Sequence, residues 1–292
     1  MRETMREAFA RTATDLVRTD PDAVVVLAVI SRELFPVGDR VVDGRIVDVG
    51  IAEQCLIGVA AGMAMTGLRP IVHSIAPFLV ERPYEQIKAD LVLQRLPAVL
   101  VSTGASYDYA SDGGTHSGHG DVAVLHALPG VGIRVPGTAA ELEAVLRETY
   151  RRDEVTYLRM STADNGEPHA DASVLRHGGR ATVVAVGPML APVLAATEGL
   201  DVTVLYTSTV RPFAGAALAA VAGEGPVVTV EPYAGEVLLG AVLDALAPRP
   251  VRVVPIGVPR AVAGHYGTPA DHDRTHRLDP ASLRDRIAAV LA

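Results

Sequence analysis

Short runs of β-branched residues, bounded by turn formers, alternate with amphipathic stretches along the whole chain. No other feature constrains the fold as strongly. A strand buried on both faces reads as an unbroken apolar run, and parallel neighbours need a crossover long enough to hold a helix. The alternation therefore predicts an α/β fold with mainly parallel sheets covered by helices. We expect a first helix over Arg2–Arg18 and strands near Ala23–Val29 and Ile46–Val49. A small-residue helix over Ala52–Met65, a strand over Pro70–Ile75 and a helix over Pro83–Leu93 follow. Strand Ala98–Ser102, helix Asp121–Leu128, strand Gly132–Val135, helix Ala139–Tyr150 and strand Val155–Arg159 complete a first domain, residues 1–160. The polar, turn-rich segment 161–178 reads as a linker. Alternation restarts in a second domain, 179–292, with strands near Ala181–Val186, Val202–Tyr206, Val227–Val230 and Val251–Val254 and a closing helix over Pro280–Leu291.

At 292 residues the chain is long enough for two such domains, each with its own core. Its longest apolar runs, such as Ala23–Ile30, are strand-length and far short of a membrane span. Residues Met1–Arg18 mix charge with apolar positions and lack a signal-peptide core, so cytoplasm is the expected compartment. A net charge of −8 without a basic tail argues against nucleic acid as a partner. Lys88 is the sole lysine, which excludes the phosphate loop that ends in Gly-Lys-Ser/Thr; it falls inside a helical pattern, where a solvated or partner-facing role is expected rather than a Schiff base. Cys55 is the sole cysteine, which excludes an internal disulfide framework.

Three constellations carry possible chemistry. In Asp48-Val-Gly-Ile-Ala-Glu53-Gln, Gly50 permits a sharp strand-to-helix turn and Glu53 falls in the first helical turn, near the positive end of the dipole. Taken alone, such a glutamate is as readily a solvated helix-start residue. The helix behind it carries no charge from Cys55 to Gly67, which predicts burial on nearly all sides and puts Glu53 at the edge of an interior or an interface. The loop Tyr107–Gly120 is glycine-rich and too long for a plain turn, and within it Asp112 and His116 can hydrogen-bond or exchange protons. Asp112, His116 and His119 lack metal-site spacing, and turn formers surround them; His272 and His276 read as a solvated loop. Phe78, one of four phenylalanines, stands at a strand-to-helix junction, placed either to pack in the core or to stack on a flat ring.

Taken together, Gly50-Ile-Ala-Glu-Gln, Ala60-Ala-Gly-Met-Ala, Phe78 with Tyr84-Glu-Gln-Ile, Asp112-Gly-Gly-Thr-His116 and Tyr157-Leu-Arg159 resemble the pyrimidine-binding module of the transketolase family. Ala185-Val-Gly, Val230-Glu and Ile256-Gly-Val extend the resemblance into the second domain. The resemblance implies a thiamine-diphosphate enzyme that transfers a two-carbon ketol unit. Glu53 would hydrogen-bond the pyrimidine nitrogen and so promote loss of the thiazolium proton, with Phe78 stacked on the ring and Ile51 and Ile75 beside it. Asp112 and His116 would meet donor hydroxyls, and Arg159 would meet the acidic end of a sugar phosphate; pairing with a linker acid such as Asp164 is the alternative for Arg159.

The family's Gly-Asp-Gly…Asn diphosphate motif is missing: Gly38-Asp39 is not followed by glycine. The resemblance therefore implies a split enzyme, in which an N-terminal-half subunit supplies that motif and holds Mg²⁺, as an α2β2 heterotetramer. Gly104 stands where a phosphate-contacting histidine is usual, and so leaves room; Ile30 stands where the first strand usually ends in an acid, and Glu231-Pro-Tyr replaces Glu-x-His. These departures point to a specialised sugar substrate. The rival readings are the β subunit of a 2-oxoacid decarboxylase or dehydrogenase, and a regulatory subunit without catalysis.

Overall fold

The computed structural model describes residues 2–39, 42–261 and 266–292. In chain order its strands are β1 (Ala23–Leu27), β2 (Ile46–Asp48), β3 (Arg69–Ile75), β4 (Ala98–Thr103), β5 (Val131–Arg134) and β6 (Val155–Arg159). After these come β7 (Val174–Arg176), β8 (Ala181–Val186), β9 (Val202–Thr207), β10 (Thr209–Arg211), β11 (Val227–Ala234) and β12 (Val253–Val258). Among the described residues they form two sheets, ordered β10-β5-β6-β4-β3-β1-β2 and β12-β11-β8-β9-β7. Every pairing is parallel except β10 with β5 and β7 with β9, at one edge of each sheet. The α/β architecture expected from the alternation is the one observed.

Two short strands escape the alternation. β7 lies within the segment read as a linker and pairs into the second sheet, while β10 follows three second-sheet strands yet adds to the first. Each is three residues long, too short for a period to register. The two halves are thus interlocked rather than merely tethered.

Helix α1 (Met5–Thr19) begins later than Arg2 because Thr4 and Glu7 form a reciprocal capping box that fixes its start. Helix α2 (Glu53–Met65) corrects an expectation. Its buried residues, Leu56, Ile57, Ala60, Ala61 and Ala64 beside Glu53, make one face, whereas Gln54, Cys55, Gly58, Gly62 and Met65 are exposed or only half-buried. The sheet of one chain covers one side of a helix, and the uncharged far side is left bare. Helix α3 (Ala76–Val80), not among the expected helices, opens the crossover after β3; Pro77 fits there because the first turn needs no N–H from it. The expected helix over Pro83–Leu93 is a single turn, Tyr84–Gln86, running on into a π-helical stretch, Ile87–Val92. Lys88 pairs there with Glu85 at the surface. The turns that leave β1, β2, β3 and β4 gather at one edge of the first sheet, the carboxyl edge at which open α/β sheets bind ligands.

Candidate active site

Asp48 at the end of β2 builds this edge. Its Oδ1 accepts the backbone N–H of Val29 at 3.0 Å and that of Gly50 at 2.9 Å, tying the end of β1 to the turn that enters α2. Gly50 takes φ +76°, a left-handed conformation that glycine adopts without penalty. Glu53 follows as the first residue of α2 and is only 2% exposed. Ser74 Oγ, on β3, donates to its Oε1 at 3.4 Å, and Arg82 Nη1 donates to its Oε2 at 2.5 Å. The Arg82 guanidinium lies 4.3 Å over the Phe78 ring on α3, and that ring meets His116 edge-to-face at 5.0 Å. Glu53, Arg82, Phe78 and His116 therefore form one continuous line of contacts. Gln54 Nε2 adds a tie at 3.4 Å to the Arg82 carbonyl. Ile51 is 77% exposed in the turn that enters α2, and Ile75 is half-buried at the start of α3.

Sequence reasoning missed Arg82. The available signal was its i, i+4 spacing from Phe78, which places both on one side of a helical turn.

The loop Tyr107–Gly120 folds as two short 3-10 turns, Ala110–Asp112 and Gly114–His116, closed at its neck by a bridge between Ser106 and Gly118. His116 reaches the line of contacts and Asp112 is exposed on the neighbouring turn. Arg159 does not join them. It is 1% exposed, with Nε donating to Asp121 Oδ2 at 2.7 Å and Nη2 to Ser106 Oγ at 2.8 Å and to the Gly118 carbonyl at 2.9 Å. Its ionic partner is Asp121, not Asp164. The guanidinium thus clamps the neck of the loop.

The clamp belongs to a larger buried network. Tyr157 donates to Asp121 at 2.5 Å and takes a bond from Ser102, while Ser106 reaches across to the Pro232 carbonyl of the second half. Burial, reinforced by Asp121, pushes the Tyr157 phenol well above its ordinary value and keeps it a donor. A cleft of about 730 Å³ is lined by Arg159 itself with Tyr107, Pro188, Pro232 and Asp273, and neither Glu53 nor Phe78 lines it.

Gly104 is a second correction. It leaves no room: a first side-chain carbon there would lie 2.6 Å from the Tyr109 ring, and its φ of +69° is itself a glycine conformation. The Tyr109 hydroxyl is fixed by Thr103 Oγ1 at 3.1 Å. The end of β1 near Ile30 is held by another buried relay, in which His73 Nδ1 donates to the Val101 carbonyl and Ser31 bonds Nε2 at 2.8 Å. Burial lowers the His73 imidazole to about 4, so it stays neutral. Glu231, wholly buried, is pushed up to about 7 by desolvation despite bonds from Thr229 and from the backbone of Glu236 and Leu238. The segment read as a solvated loop around His272 is a helix, Pro269–His276, and His272 is 1% exposed and stacked on Tyr107 at 5.2 Å. Among the described residues no group of three or more His, Cys, Asp or Glu is placed to hold a metal ion.

Residues 2–166 match the transketolase pyrimidine-binding domain family. The chain belongs to the transketolase family. Its relatives include an uncharacterized 33.6 kDa protein in the fasciation locus of Rhodococcoides fascians, 43% identical over 98% of this chain and 95% of that one. They also include one subunit of the apulose-4-phosphate transketolase of Phocaeicola vulgatus, 28% identical over 90% and 92% of the two chains. With 1-deoxy-D-xylulose-5-phosphate synthase of Synechococcus sp. (strain CC9605) it is 34% identical over 85% of its own length, and it spans 41% of that protein. A solved structure described as a split gene transketolase, inactive beta4 tetramer, superposes with a TM-score of 0.83 at 26% identity over 98% of both chains. The transketolase-family subunit read from Gly50-Ile-Ala-Glu-Gln and its companion motifs is thus what the comparisons find.

Proposed function

We propose that this chain is the pyrimidine-binding subunit of a split thiamine-diphosphate transketolase that moves a two-carbon ketol unit from a ketose or ketose-phosphate donor to an acceptor. The observation that carries the reading is Glu53: a buried carboxylate at the carboxyl edge of the sheet, one contact from an aromatic face. That donor set suits an aminopyrimidine, which needs a carboxylate for its ring nitrogen and a flat apolar surface for its π-face. When bound, the cofactor supplies the carbanion chemistry that two-carbon transfer requires. Glu53 holds and exchanges a proton at the ring nitrogen. Phe78 stacks on the ring, and Ile51 and Ile75 exclude water beside it. His116 and Asp112 bind the hydroxyls of the donor, on a loop whose neck Arg159 keeps closed.

The partner is an N-terminal-half subunit carrying Gly-Asp-Gly…Asn, which binds the diphosphate through Mg²⁺, in an α2β2 assembly in the cytoplasm. The bare side of α2 supports this reading: it carries no charge, and Ile51 and Met65 near its two ends are 77% and 74% exposed. An uncharged exposed face with large apolar residues near its ends suits an interaction site. Among the described residues no helix is long and apolar enough to cross a membrane. The test is reconstitution with a complementary chain of that motif. Ketol transfer from a sugar phosphate is expected only with both chains, thiamine diphosphate and Mg²⁺; equal turnover with this chain left out would overturn the assignment.

A further inference from the structure

We infer that Arg82 is an internal stand-in for the cofactor's aminopyrimidine, occupying in the partner-free chain the contacts to Glu53 and Phe78 that the bound ring needs. The inference rests on the function proposed above and adds a step to it: Arg82 must leave both contacts before the site can load. A guanidinium is planar, donates N–H bonds and stacks on aromatic faces, so it satisfies the same pair of groups as a flat, nitrogen-bearing ring. Here it does both at once, 2.5 Å from the carboxylate and 4.3 Å over the ring. On that reading the two occupants compete for Glu53 Oε2 and for the face of Phe78 that Arg82 covers.

The arrangement answers a physical need. Glu53 is 2% exposed, and a buried carboxylate without a cation is strongly destabilising. Arg82 supplies that cation, yet its own side chain is 37% exposed. It follows α3 in an exposed turn, which gives the side chain open solvent to swing into. The Gln54 tie to its carbonyl keeps the backbone of that turn against the start of α2 while the side chain moves. A site that must first release an internal occupant shows a weaker apparent affinity, reduced by the fraction of molecules in which the occupant has left.

Two measurements on the purified chain decide the matter. The first is melting of Arg82→Met, Glu53→Gln and the double variant. R82M is expected to melt below the native protein, and Glu53→Gln in that background is expected to restore most of the loss, because the amide needs no counter-charge. Additive effects would overturn the inference even if the cofactor assignment stands. The second is an NMR titration with thiamine diphosphate and Mg²⁺ into the millimolar range, followed at the Phe78 ring and the Glu53 side chain. R82M is expected to bind about fivefold to thirtyfold more tightly than native, and Glu53→Gln to cancel that gain. Equal or weaker binding by R82M would show that Arg82 is a scaffold or ligand-binding group, and would overturn the inference alone. No response at Phe78 in either protein, with the complementary chain also present, would contradict the proposed function and the inference together.

Discussion

Two carboxylate–arginine pairs stand beneath the same loop and do opposite work. Asp121 and Arg159 are 0% and 1% exposed, and the guanidinium also bonds Ser106 and Gly118, so the pair is a fixed part of the scaffold. Glu53 and Arg82 are 2% and 37% exposed, and the arginine stacks on a ring instead of spending its remaining donors on backbone. Burying both partners freezes a pair, because separating them would strand two charges in a low-dielectric interior. Burying only the acid leaves a site, because the cation can be exchanged for another donor. On the proposed function, the carboxylate used in chemistry is the one whose partner can depart.

The sharpest way to break this contrast is Arg159→Ala. Leaving Asp121 buried and unpaired should cost about 3–5 kcal/mol of stability. Activity should fall by one common factor for phosphorylated and unphosphorylated ketose donors. Selective loss of the phosphorylated donors, with the melting temperature unchanged, would make Arg159 a substrate residue after all and collapse the distinction.

The converse variant is Glu53→Gln. The amide is nearly isosteric, so melting should change little, while the rate of the assembled enzyme should drop by about two orders of magnitude or more. Hydrogen–deuterium exchange at the cofactor's reactive carbon reads the proton step directly. An exchange rate equal to native would remove Glu53 from the mechanism.

A third carboxylate, Glu231, sharpens the comparison from the other side, because the bonds it accepts come from a threonine and backbone N–H groups rather than an arginine. Its folded value of about 7 lies above the ordinary 4.5, so the folded chain keeps a proton that the unfolded chain releases. Stability is therefore present at low pH and is lost as pH rises through that window. Glu231→Gln should melt higher than native at about pH 8 and lose most of that advantage near about pH 5. A pH-independent difference would mean that Glu231 ionises in the fold as freely as in the unfolded chain.

The contrast between the pairs was only half legible in the sequence. Glu53 and Phe78 could be found because each stands at a strand-to-helix junction, where local pattern and motif coincide. Arg82 could not be assigned a task, because its place depends on a turn after a five-residue helix, too short to register as a period. Arg159 was placed at its strand end correctly, but its partner Asp121 lies 38 residues away, and only the sheet order brings them together. Gly104 looked like a space left by a missing histidine, whereas the Tyr109 ring, five residues on, fills it. The parallel α/β architecture was readable because it repeats along the chain. Strands of three residues, and contacts that join distant segments, leave no such period.

The proposed function requires a second chain to complete the cofactor site. Calorimetry with thiamine diphosphate and Mg²⁺ tests it most directly, first on the purified chain and then after addition of a complementary chain that carries Gly-Asp-Gly…Asn. Little heat is expected from this chain alone, and tight, stoichiometric binding once the partner is present. Sub-micromolar binding by the isolated chain would contradict it.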